Sequence, residues 1–171
     1  MGSGNLKYIT YFLIYTVVQV LLLRNVALFH VAFPFIYVGF IILLPVNINR
    51  LFTLIAAFFY GFIIDLFYNT LGINAAACVL VAFVRMYVLN FITDSSTDDV
   101  QEPNLQNLGF KKFSFFCISL LFVHHLVLFY SEAFSFNIFF NTLFKVLMSA
   151  LFSYFLIVCS QYLFFYNKRR R

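Results

Sequence analysis

The fold class this chain predicts is an all-α polytopic membrane protein, and three observations predict it. Of 171 residues, 64% are hydrophobic and only 10% are charged, whereas soluble domains run near about 45–50% apolar and about 25% charged. Apolar runs of near-membrane length recur from one end of the sequence to the other. The polar stretches between them divide Lys and Arg unequally, which orients the runs. Together these predict one membrane domain over residues 1–171, a six-transmembrane-helix bundle with both termini cytoplasmic.

The first span is 6–23, stopped by Arg24 and Asn25. The second, 33–46, opens and closes on Pro34 and Pro45. At about 1.5 Å per residue it reaches only about 21 Å, against a hydrocarbon core of roughly 30 Å, unless it extends back toward Leu28. Pro34 suits a first helical turn, where its missing N–H is no loss. The third, fourth and fifth spans are 51–68, 73–92 and 113–130. The sixth, 137–166, is long enough to tilt or to protrude. Lys7, Arg50, Lys111, Lys112 and the terminal run Lys168, Arg169, Arg170, Arg171 then share one side, leaving Arg24 alone on the other. Basic residues mark cytoplasmic loops, so both termini are placed inside. The cytoplasmic loop 93–112 is polar and reads as a solvated linker or as a docking segment.

Several chemistries are set aside. Cys78, Cys117 and Cys159 lie in apolar runs without short spacing, as buried hydrophobes do. The first apolar run lacks a basic n-region and a small-x-small cleavage site, so no signal peptide is expected. The net charge of +5 is scattered or terminal, which argues against nucleic-acid binding. No phosphate loop, nucleophile elbow or pair of convergent carboxylates is present, so no enzyme is expected. His124 and His125 are adjacent, point about 100° apart on a helix, and do not chelate as an i, i+4 pair would. No metal and no cofactor are expected.

The polar residues inside the spans are the candidate site. An ionised Asp near the bilayer centre costs roughly 2.5–3.5 kcal/mol, so Asp65 needs a partner or a use. It lies about 5–6 Å in from the external end of its span. His124, His125, Lys145, Glu132 and Arg24 collect toward the same end, while Arg85 lies near the cytoplasmic end, where it can snorkel. The expectation is that Asp65 faces the interior and is offset by Lys145, by a histidine, or by both. Gly61, one turn before it, lets a neighbouring helix approach. Either the cluster is a structural network, or it is a partner or ligand site open to the outside. On the fourth span Ala75, Cys78 and Ala82 form a small-residue stripe, a face for helix packing or for a partner.

The order of these elements carries a resemblance. A Pro-bounded "PFIYVGFIILLPVNI" precedes "GFIIDLFYNTLGINAAACVLVAFVR", and "HHLVLFYSEAFSF" follows. With Gly61 and Asp65 as a GxxxD pair, the Asn-Thr-x-Gly turn, the Ala-rich fourth helix and Glu102-Pro103, the chain resembles the rod-shape-determining membrane protein family MreD, in its Bacteroidota form. The resemblance implies a non-enzymatic scaffold or regulator of the cell-elongation complex in the bacterial inner membrane. It implies binding to an MreC-like bitopic protein and coupling of MreB filaments to peptidoglycan synthesis by RodA and its partner transpeptidase. It also implies a fold like the substrate-binding components of energy-coupling-factor transporters. That likeness sharpens the competing reading, a small-solute-binding transport component with an ATPase partner. Membrane lipid is a further expected partner.

Overall fold

The computed structural model describes residues 3–93, 100–133 and 139–166. These are 79% helical, with no strand. The basic run 168–171 and the acidic part of the loop, residues 94–99, lie outside the described residues. Helix α1 (Ser3–Val17) continues into a π-helical stretch, Val18–Leu23. It is followed by α2 (Val38–Ile42), α3 (Arg50–Tyr68), α4 (Ile73–Ile92), α5 (Leu105–Ala133) and α6 (Phe139–Tyr166). Among the described residues five helices, all but α2, are long and apolar enough to cross a membrane. The architecture is that of a multi-pass membrane protein.

Local chemistry sets the helix ends. Asn49 caps α3 by accepting from the Leu51 N–H at 2.9 Å. Asn69 then stops α3 in a left-handed conformation (φ 57°), one that Asn tolerates better than most side chains. Gly72 (φ 86°) turns the chain into α4. Asn104 caps α5 through the Asn107 N–H at 2.9 Å. Gly109, at φ 72° and ψ 164°, breaks α5 just after its first turn. The second half of the predicted loop 93–112 is therefore helical, because a capping Asn precedes it, and the membrane helix proper begins after Gly109.

Helices α3, α4, α5 and α6 pack on one another in sequence order, with α2 against α1, α4 and α5. The largest departure from the expected spans is 33–46, which holds only the five-residue α2. Tyr37, Val38, Ile41 and Ile42 within it are completely buried. This segment is a central plug, not a lipid-facing helix. At one end Pro34 O accepts from Gln19 Nε2 at 3.1 Å, and Gln19 also reaches Tyr68. At the other end the Val46 N–H donates to Gln101 O at 2.9 Å, beside Glu102, which holds Lys7 at 2.6 Å. The plug, residues 33–46, is thus tied to the first helix at one end and to the 101–102 segment at the other.

Candidate intramembrane polar site

Asp65 sits on the last full turn of α3, 2% exposed. Its partners come from the turn and helix that follow it. Oδ1 accepts from the Asn74 N–H at 3.0 Å and from Asn74 Nδ2 at 3.0 Å. Oδ2 accepts from the Ala75 N–H at 2.9 Å, and the Thr70 hydroxyl donates to Oδ1. Four donors and no acceptor face the carboxyl group, the pattern that suits a carboxylate. Two of the donors are the second and third N–H groups of α4, which would otherwise be orphaned. Asp65 is a helix cap supplied from the neighbouring helix, and the positive end of the α4 dipole offsets its charge.

The approach that makes this cap possible rests on Gly61. A Cβ there would stand 2.5 Å from Ala75 Cα and 2.7 Å from the Asn74 carbonyl oxygen. Both obstacles are backbone, so they cannot swing aside. Gly61 and Asp65 therefore act together, one admitting the end of α4 and the other bonding it.

The expected ion pair with Lys145 is not formed. Lys145 is exposed and lines a separate pocket with Val31, because the charge of Asp65 is already met by α4. Glu132 lies near enough to Lys145 to feel its charge, without an ion pair. Arg24 lies over the ring of Tyr68, 5.8 Å from its centroid. These three residues belong to the surface at that end of the bundle and not to the Asp65 cluster.

One histidine, His124, joins it through intermediaries. With Asn74 Nδ2 committed to Asp65 and Thr70, Asn74 Oδ1 accepts from the Tyr37 hydroxyl at 2.8 Å. The Tyr37 oxygen then accepts from His124 Nε2 at 2.8 Å, which puts the His124 proton on Nε2. His124 Nδ1 is buried and has no hydrogen-bond partner among the described residues. His125 runs the other way. Its Nδ1 donates to Leu121 O at 2.7 Å, and its Nε2 accepts from Ser153 Oγ at 3.2 Å. The two rings pack edge to face, 5.2 Å apart, but serve different networks.

The plug needs such partners because backbone groups at membrane depth cannot be left unpaired. Ser149 and Ser153, one turn apart on α6, accept from the N–H groups of Phe33 at 2.9 Å and Phe35 at 2.8 Å. Gln19 Oε1 accepts from the Tyr37 N–H at 3.4 Å. At the far end Arg85 donates to Leu44 O. Arg85 is 1% exposed and does not snorkel, because the Leu44 carbonyl near the end of the plug holds it inside. Thr70, Asn74, Tyr37, Gln19, Ser149 and Ser153 were not singled out from sequence for these roles. A Gln within a span and a Ser pair spaced i, i+4 are the signals that point to them.

Ala75, Cys78 and Ala82 are all buried within the bundle, so that stripe is a helix-packing face. Beside it lies a lipid-facing groove of about 910 Å³ between α3 and α4. Phe58 and Phe62 form one wall, with Gly72, Ala75, Ala76 and Val79 on the other. Thr70 and Ala75, which bond Asp65, also line the groove. Among the described residues no three His, Cys, Asp or Glu side chains converge as metal ligands.

No family model, no curated protein and no solved structure matches this chain.

Proposed function

We propose that this protein is a non-enzymatic membrane scaffold of the MreD type, whose α3–α4 groove receives the single transmembrane helix of an MreC-like bitopic partner. The observation that carries the reading is the groove itself. Its lining runs from Leu54 to Phe62 on α3 and from Ala75 to Phe83 on α4, about 12 Å along each helix, and is closed by Thr70, Leu71 and Gly72 of the turn between them. A groove that follows both helices suits a partner helix packed alongside them. In lipid, helices associate by close packing, which small residues such as Gly72 and Ala76 permit. The Gly61–Asp65 lock directly beneath fixes the spacing of the two walls.

The same reading places the protein in the bacterial inner membrane, linking MreB filaments to RodA and its partner transpeptidase for cell elongation. It takes the plug as a sixth crossing, so that both termini are cytoplasmic. The unequal division of Lys and Arg among the polar stretches supports that count.

The test is purification of the tagged protein from its own membranes in mild detergent, with identification of what comes with it. Ala76 is exposed in the groove, so Ala76→Phe fills the groove from the lipid side and leaves the core alone. Recovery of a bitopic protein with peptidoglycan synthases is expected, falling at least about fivefold in Ala76→Phe, or roughly 1 kcal/mol of association. Recovery of an ATPase module, or of a stoichiometric small solute, would replace the scaffold by a transport component.

A further inference from the structure

At the Arg24 end of the bundle, away from the groove, lies a pocket of about 400 Å³. Val31 closes one side, and Asn141, Thr142, Phe144 and Lys145 of α6 form the other. The turn that carries Val31 is unusually constrained. Phe29 (φ 53°) and His30 (φ 59°) are both left-handed, and the Leu28 and Ala32 backbones exchange bonds of 2.8 and 3.0 Å. Two bulky residues at positive φ are costly, and the bonded turn holds Val31 over α6.

Two side chains in the pocket have no hydrogen-bond or ion-pair partner among the described residues. The Lys145 ammonium makes no hydrogen bond or ion pair among the described residues. Thr142 is 4% exposed, and its hydroxyl also makes no hydrogen bond among the described residues. Asn141 adds an amide at the rim. Lys145 lies six residues, about 9 Å, along α6 from Phe139. The twenty-eight residues of α6 span about 42 Å, some 12 Å more than a hydrocarbon core of roughly 30 Å. A helix centred in the bilayer therefore holds Lys145 just inside the core boundary, from where its stem lifts the ammonium to the phosphate level. Phe139, Phe140, Phe144 and Leu147 around it are exposed and apolar, as a surface against acyl chains is.

We infer that this pocket binds the phosphate of a phospholipid headgroup, with Lys145 as the charge, Thr142 and Asn141 as hydrogen-bond donors, and the Val31 turn as the wall. Glu132 stands within electrostatic reach of Lys145. It would repel an anionic headgroup and favour one that carries an amine. The inference does not depend on the groove or on any protein partner.

Native mass spectrometry of delipidated protein tests it, with phosphatidylethanolamine and phosphatidylglycerol titrated separately and inorganic phosphate as competitor. The wild type is expected to hold one headgroup lipid more tightly than the rest. Lys145→Gln should weaken that binding at least threefold, Lys145→Arg should retain it, and Glu132→Gln should shift preference toward phosphatidylglycerol. Equal lipid binding by Lys145→Gln and wild type overturns the inference. Displacement of the lipid by equimolar inorganic phosphate also overturns it, in favour of a free-anion site. Lys145 is exposed, so its replacement by Gln or Arg leaves the core intact, and the monodispersity of each variant confirms this.

Discussion

Asp65 and Arg85 are both charged side chains, both nearly inaccessible, and on neighbouring helices, yet the fold treats them in opposite ways. Asp65 meets four donors, all within ten residues of it in sequence. Among the described residues Arg85 has one acceptor, the carbonyl of Leu44, 41 residues away, and its buried Nε has no partner. No carboxylate faces it among the described residues. A carboxylate is well served by the N-terminus of a helix, which offers convergent N–H donors and a favourable dipole. A guanidinium has five donors in a rigid fork, and one carbonyl satisfies few of them. Asp65 is therefore part of what holds α3 to α4, whereas Arg85 is held in place by burial at some cost.

Substitution can break this comparison or sharpen it. Asp65→Ala should have the largest effect, about 3–5 kcal/mol in reversible unfolding in mixed micelles, because the donors it leaves behind are buried and unpaired. Asp65→Asn sharpens the point. Its carbonyl oxygen can keep the Thr70 and Asn74 donors and give up only Ala75, so its loss should be about half that of Asp65→Ala. Equal losses for the two would mean that charge, and not the number of bonds, is what matters.

Gly61→Ala comes next, at about 1–3 kcal/mol, since the added methyl meets backbone and α4 must move off its cap. The double variant Gly61→Ala with Asp65→Ala should cost clearly less than the two singles added together, because the first change already loosens the second's bonds. Additive losses would show that the glycine and the carboxylate are independent.

Arg85→Met should have the smallest effect, within about 1 kcal/mol of wild type and in the stabilising direction. An apolar side chain of similar length removes a poorly compensated buried charge. A loss as large as that of Asp65→Ala would end the contrast and show that the Leu44 carbonyl depends on this one donor.

The two halves of the molecule also differ in how far they could be read in advance. Around α3 and α4 the reading went far: Gly61 as the point of close approach, Asp65 as an inward-facing acid, and a turn at Asn69–Gly72 all lie within one short stretch. The residues around Asp65 point to a cation as its partner, whereas main-chain N–H groups meet the charge, and main-chain groups leave no mark on residue identity. Around the plug less was legible. Pro34, Pro45 and the short span were visible, but the fourteen residues 33–46 fit equally with a helix extended at one end.

What the amino-acid sequence determined by itself is what depends on composition and local spacing. The membrane class follows from the apolar content, the five long helices from uninterrupted apolar runs, and the helix ends from Asn49, Asn69, Gly72 and Asn104. What only the tertiary structure decided depends on groups distant along the chain. Ser149 and Ser153 cover the plug's N–H groups from 116 and 118 residues away, and Tyr37 links Asn74 to His124 across 37 and 87 residues. A segment with so little regular helix at membrane depth is stable only once such partners surround it, so its conformation is settled by the bundle that encloses it and not by its own residues.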